Sequence, residues 1–419
     1  MKSFSFIIVL CFFIRTSNPK VKKEKMKLKP EDQLILLCIK IAPTPVELEQ
    51  INALIPQVQD WVYLVTTIID RGIGPLLFKK LPLLTNSSLI PENVSTNLRQ
   101  AYYKTFSRST LLYEHFRKIV LEFTSQDIPV IGLKGIYLSE LLYQDIGLRQ
   151  FSDIDLLVKA EDGEKCLGIL EGMGYIQHET HKISEFVESQ FDLVHYPALV
   201  LNGVSVEIHI RLHQNTESYS ILIPELWNNS VPVTVNGVQI STLAINDLLV
   251  YLCLHLDKHF RSGHIQFTCF NDITNLLEKY SETIDWNHFI KTCKLYKCEE
   301  IVFKYFVLVN TYMNAFLPTQ IIKKYNSILT ESDEQLFYNY LKGNFEINGY
   351  FLSHLNALKK IQDFSGKVHY LKDILFPTKA FMISTYKIKK KKCVIFYYPY
   401  RYLVGIRGVI GHFRSRIEF

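Results

Sequence analysis

The stretch Ile128–Val158, IPVIGLKGIYLSELLYQDIGLRQFSDIDLLV, decides the fold. Its apolar start (Ile128, Val130, Ile131) reads as a buried strand. At Lys134-Gly135 the pattern changes to helical spacing, with Leu141 and Leu142 three and four residues after Leu138. A turn over Gln144–Gln150 then leads into Ser152-Asp153-Ile154-Asp155-Leu156-Leu157-Val158. Alternate side chains of a strand share a face, so Asp153 and Asp155 point one way while Ile154 and Leu156 point into a core. Two carboxylates about 7 Å apart on one strand repel each other and need compensation, for which a divalent cation is the usual agent.

A third carboxylate shares this geometry. Val204–His213 reads VSVEIHIRLH, with Val206, Ile208, Ile210 and Leu212 on one face and Glu207, His209, Arg211 and His213 on the other. The preceding Asn202-Gly203 predicts a tight turn, which makes this the return strand of a hairpin whose first half lies near Asp192–Leu201. If it lies beside the Asp153–Val158 strand, Glu207 joins Asp153 and Asp155. Three carboxylates with open positions suit a pair of Mg²⁺ ions that also hold substrate phosphates.

These residues resemble the polymerase-β-like nucleotidyltransferase superfamily, whose signature is a glycine motif at a strand-to-helix turn, a D-x-D strand and a later acidic strand. They are most similar to a family of uncharacterised bacterial nucleotidyltransferases, with Leu133-Lys134-Gly135, Leu148-Arg149, Ser152–Val158 and Val206–His209 in matching order. The likeness extends through His255 and the Asp272…Asp285-Trp286 region to Leu375-Phe376-Pro377. In place of the superfamily's Gly-Ser or Gly-Gly stands Lys134-Gly135, and the gap to Asp153 is longer than usual.

The fold expected is α+β: a small mixed sheet with helices, flanked by N-terminal and C-terminal helical regions. The chemistry implied is transfer of an NMP from an NTP co-substrate to a hydroxyl or phosphate of an acceptor, a small molecule or a protein, with release of pyrophosphate. Asp153, Asp155 and Glu207 are the metal-binding and catalytic candidates, with Glu207 on the nucleophile side and also placed to act as base. Gly135 opens a helix directly after a strand, where backbone N–H groups face a phosphate, and Lys134 either adds a charge there or is solvated. Arg149 either contacts phosphate or pairs with the carboxylates, and Ser152 is a phosphate-side candidate or a turn hydroxyl. His209 and Arg211 either line the acceptor site or form an ordinary polar strand face. The alternative function is a catalytically silent nucleotide-binding or scaffold protein that keeps the fold.

Elsewhere the sequence is less specific. The ends carry +5 (residues 1–25) and +8 (residues 387–419) of a net +6, so the body between them is −7. An acidic body argues against a nucleic-acid partner. Eight scattered cysteines without a C-x-x-C pair read as reduced thiols in a cytoplasmic chain. Met1–Ile14 is apolar but too short to span a bilayer, and a mis-assigned start ahead of Met26 is favoured over an export signal. The division expected is 1–25 leader, 26–125 N-terminal helices, 126–244 α/β core, 245–386 C-terminal helices and 387–419 basic aromatic tail. The basic run Lys387–Lys392 reads as a solvated helix ahead of contact with an acidic membrane surface. A helix start is expected at Pro30, and a capping box at Thr44-Pro45-Val46-Glu47; no chemistry is assigned to this layer. Trp286–Met313 reads as one helical stretch. His255 and His259, at helical spacing, suit zinc or plain packing, and Asp272 is expected to face His255 or Lys258.

Overall fold

The computed structural model describes residues 28–177, 194–213, 217–262 and 267–343 and, towards the C-terminus, 358–359, 361, 363–377, 379, 382–383, 386, 388 and 391–402. The leader, half of the basic run and the end of the aromatic tail lie outside these residues.

Helices open the described chain: α1 (Pro30–Leu37), α2 (Pro45–Leu54), α3 (Trp61–Asp70), α4 (Gly74–Lys80) and the 34-residue α5 (Glu92–Ser125). Proline fixes the first turn of α1 and of α2. The expected capping box starts α2, where Thr44 accepts the Glu47 N–H at 3.3 Å and the Thr44 N–H donates to Glu47 Oε2 at 2.8 Å. Along α5, Leu112, Phe116, Ile119, Val120 and Phe123 recur at helical spacing and are buried, and the helix packs across β2, β5 and β7 of the sheet.

Among the described residues one seven-stranded mixed sheet forms, in the order β3-β4-β5-β2-β1-β7-β6. Its strands are β1 (Ile131–Leu133), β2 (Asp153–Leu157), β3 (Ile176–Gln177), β4 (Leu199–Leu201), β5 (Val204–His209), β6 (Val231–Val235) and β7 (Val238–Thr242). Asn202-Gly203 and Asn236-Gly237 close the β4–β5 and β6–β7 hairpins, all four with positive φ (51°, 75°, 47° and 74°), as a two-residue turn matched to strand twist requires. The outer hairpins leave β1 and β2 at the centre, antiparallel to each other, with β5 parallel to β2 on the far side.

Helix α6 (Gly135–Leu141) follows β1 and α7 (Gly163–Gly172) follows β2; α8 (Ile223–Asn229) precedes β6. Beyond β7 the chain is helical: α9 (Ile245–Ser262), α10 (Phe267–Tyr280), α11 (Trp286–Leu295), α12 (Glu299–Met313), α13 (Thr319–Tyr325), α14 (Glu331–Lys342) and α15 (Phe364–Leu375). The Trp286–Met313 stretch is two helices. Lys297 takes a left-handed φ of 57° and the Cys298 N–H reaches back to Cys293 O at 2.9 Å, a helix stop without a glycine to signal it. One continuous apolar core runs from Leu34 to Leu341, joining the N-terminal helices, the sheet and the C-terminal helices. Each fully buried phenylalanine in it, such as Phe116, Phe270 or Phe306, contributes about 1.5–3 kcal/mol by leaving water. No single helix among the described residues is long and apolar enough to cross a membrane.

Candidate active site

The sheet register assembles the site. Leu133, the last residue of β1, lies opposite Asp155 of β2, so the turn that follows delivers Lys134 beside that carboxylate. Across β2, Asp155 faces Glu207 of β5 in parallel register, the neighbourhood expected from the sequence. Asp153 and Asp155 share a face of β2, while Ile154 and Leu156 are buried beneath.

Asp155 is 3% exposed and clamped from two sides: Lys134 Nζ lies 3.2 Å from Oδ2, and His209 Nε2 donates to Oδ1 at 3.0 Å. His209 Nε2 also lies 3.6 Å from Glu207 Oε2. Burial would raise the Asp155 pKa, but the charges of Lys134 and His209 hold it well below the usual carboxylate range. Burial would discharge Lys134, yet Asp155 and Asp153 keep it cationic with a raised pKa, which removes the solvated reading. His209 behaves the same way: burial alone would lower it, and hydrogen bonds to Asp155 and Glu207 raise it instead. The His209 contact lowers the Glu207 pKa. Asp153 has no such clamp. Its pKa is pushed up to about 6, first by burial and then by Asp155, with only partial relief from Lys134.

The backbone of the turn is constrained. Lys134 sits at φ 48°, an uncommon left-handed position, and Gly135 packs tightly against Phe151 and Arg149. A Cβ at Gly135 would stand 2.7 Å from Phe151 Cβ and 2.9 Å from Arg149 Nη1. Gly135→Ala is therefore expected to destabilise the protein by about 2–3 kcal/mol, read from the shift in urea midpoint at unchanged slope. A wild-type midpoint would show that the turn opens freely. Helix α6, at seven residues, lends only a short stack of peptide dipoles to this turn.

Other candidates are placed differently. Arg149 does not touch the carboxylate cluster: it makes a buried two-point pair with Asp272 of α10, Nε–Oδ1 at 2.9 Å and Nη2–Oδ2 at 2.6 Å. That pair also corrects the expectation for Asp272, whose partners are Arg149 and the Tyr143 hydroxyl at 2.9 Å rather than His255 or Lys258. Ser152 is exposed, and its carbonyl accepts from Arg108 Nη2 at 2.7 Å. Arg211 lies two residues past the end of β5, is exposed, and borders a cavity that also includes Lys159 and Trp227, away from Glu207. The strand alternation that grouped it with Glu207 stops at His209. The rings of His255 and His259 meet edge to face, with centroids 4.4 Å apart and planes at 60°.

Two cavities meet at the cluster, sharing Lys134 and Asp153. One, about 290 Å³, is bordered by Arg71, Lys134, Gly135, Arg149, Ser152 and Asp153. The other, about 240 Å³, is bordered by Asp153, His195, Glu207, His209, Tyr251 and His255. Arg71 and His195 carried no signal in the sequence, because neither belongs to the strand pattern.

The donor set fits a divalent cation. One ligand atom each from Asp155, Glu207 and His209 lie within 4.8 Å of one another. Asp153, ionised only against burial and a neighbouring charge, is a carboxylate that lacks a counter-ion of its own. A family model described as an uncharacterised nucleotidyltransferase matches residues 57–314, well over half of the chain. Curated proteins and solved structures gave no significant match.

Proposed function

The chain belongs to this family of nucleotidyltransferases, and from that premise we propose that it moves an NMP from an NTP to a hydroxyl or phosphate of a small-molecule or protein acceptor, with Mg²⁺ as cofactor. The observation that carries the reading is the meeting of two cavities at Asp153, with Asp155 and Glu207 paired across adjacent strands. In this reading the Lys134–Gly135 cavity takes the triphosphate and the Glu207–His209 cavity takes the acceptor.

Asp153, Asp155 and Glu207 would hold the divalent ions. Bound there, Mg²⁺ would neutralise triphosphate charge and make the acceptor hydroxyl more acidic. The residues of the chain do the rest. Glu207, kept ionised by His209, is in the form that accepts the acceptor proton. The acceptor oxygen bonds to the α-phosphorus as the bridge to the β-phosphate breaks, and pyrophosphate leaves. Lys134, fixed against Asp155, holds positive charge at the junction of the two cavities throughout. His209, hydrogen-bonded to Asp155 and 3.6 Å from Glu207, keeps both carboxylates oriented while the proton moves. The acidic body leaves nucleic acid the less fitting acceptor, and free buried thiols such as Cys38, Cys166 and Cys253 suit the cytoplasm.

Titration calorimetry of the full chain with each NTP, with and without Mg²⁺, tests this. Mg²⁺-dependent binding of an NTP, lost in an Asp153→Asn/Asp155→Asn double variant, is the expected result. If nucleotide binds equally well to the double variant, the carboxylates serve the fold alone.

A further inference from the structure

The cavity on the Lys134–Gly135 side is bordered by three cationic side chains, Arg71, Lys134 and Arg149. Two are committed within the protein: Lys134 to Asp155 and Arg149 to Asp272. Arg71 is not. It is the last residue before the Gly72 turn that ends α3, and it is 7% exposed. Its side-chain hydrogen bond runs from Nε to the carbonyl of Leu341, at 3.1 Å. No carboxylate among the described residues comes within ion-pair distance of its guanidinium; its chain neighbour Asp70 is exposed and contributes only through space. Burial lowers its pKa, as expected for a cation withdrawn from water without a partner.

A buried guanidinium of this kind is expensive to keep, and an anion in the cavity would supply the missing partner. Its fork geometry matches phosphate oxygens two at a time. The C-terminal helices hold it in place: Leu341 of α14 anchors Nε, and Gly343, just past that helix, leaves room that a Cβ would fill at 2.5 Å from Nη2. Arg71 also borders a larger groove of about 680 Å³ that reaches Tyr63 and Lys342, so it stands at the partition between the two spaces. It borders the same cavity as Asp153 and Asp155 without an ion pair to either, so its fork is left for a group bound between them.

We propose that Arg71 is a substrate-binding residue that grips the β- and γ-phosphates of the NTP, the pyrophosphate that leaves. This rests on the nucleotidyltransferase reading above and names the group within it that recognises the triphosphate. The N-terminal helices, to which no chemistry was assigned from the sequence, thereby supply part of the site.

The test measures binding of each NTP, of its NMP and of inorganic pyrophosphate to the full chain in Mg²⁺ buffer, for wild type, Arg71→Gln and Arg71→Lys. Arg71→Gln is expected to weaken NTP and pyrophosphate about 10- to 100-fold while leaving NMP unchanged, the loss of charge-assisted hydrogen bonds. Arg71→Lys, which keeps the charge and loses the fork, should recover part of that loss and serves if the glutamine variant does not fold. Circular dichroism establishes folding for each. Unchanged NTP and pyrophosphate binding in a folded variant overturns the assignment while leaving the enzyme reading intact, and so does an equal loss of NMP binding. Wild-type protein that binds pyrophosphate through Arg71 but no nucleotide would support the anion site and defeat the nucleotidyltransferase reading.

Discussion

Asp155→Asn is expected to destabilise the protein by about 3 kcal/mol, while Asp153→Asn, two residues away, stabilises it by on the order of 1–2 kcal/mol at pH 8. Both are expected to lose nucleotidyl transfer by at least about 10³-fold. The opposite signs follow from the environments. Asp155 is the shared partner of Lys134 and His209, and its replacement leaves the largely buried Lys134 without its ion-pair partner and His209 with Glu207 alone at 3.6 Å. Asp153 is crowded by Asp155 and burial with no clamp of its own. Its folded-state pKa is raised from the ordinary 3.8 to about 6, so the folded state holds that proton more tightly than the unfolded chain. Its ionisation therefore removes stability as pH rises from about 4 to 6, and the loss persists above 6. Asp155, lowered, works the other way: its contribution is present above the unfolded carboxylate range and is lost as pH falls through its own folded pKa. Urea unfolding of the ion-free protein at pH 5 and pH 8 reads the Asp153 effect, while the Asp155 contribution holds steady across that window and falls only below about pH 4. The advantage of Asp153→Asn should shrink at pH 5. Equal destabilisation by the two variants at pH 8 would contradict the arrangement.

The second large effect is expected at the Arg149–Asp272 pair. Asp272 is 0% exposed and binds Arg149 at two points and Tyr143 at a third. Asp272→Ala leaves a guanidinium and a phenol hydroxyl buried without their acceptor, and about 3–5 kcal/mol should be lost. The double variant Arg149→Met/Asp272→Leu removes the orphaned charge, and a large part of the loss should return. A double variant that is as unstable as the sum of the single ones would mean that the pair does not act as a unit. The pair links α10 to the turn that carries Lys134, because Arg149 Nη1 abuts Gly135. A strained turn at φ 48° needs such a buttress.

Much of the site was legible because it is written in local pattern. The alternation through Ser152–Val158 put both aspartates on one face, and the same alternation after the Asn202-Gly203 turn put Glu207 on one face of the strand that pairs with β2. His209 followed from the same period of two. Pairings between residues far apart in sequence were not legible. Nothing near Arg149 points to Asp272, and nothing near Arg71 points to Leu341, because packing alone brings α10 to the turn before β2 and α14 to the end of α3. Arg71 at a helix end reads as ordinary dipole compensation until its burial is seen. The break at Lys297 was equally silent, since a lysine there takes the left-handed turn usually given to glycine or asparagine. Arg211 was grouped with the site only by extending a strand that ends two residues earlier.

The most direct test is the identity of the products. Full-length protein at high concentration, incubated with Mg²⁺ and the NTP that it binds, should convert that NTP slowly to NMP and pyrophosphate with water as acceptor, resolved by phosphorus NMR. The Asp153→Asn/Asp155→Asn variant should produce neither. NDP with inorganic phosphate, or a bound NTP that stays intact throughout, would contradict nucleotidyl transfer at this cluster.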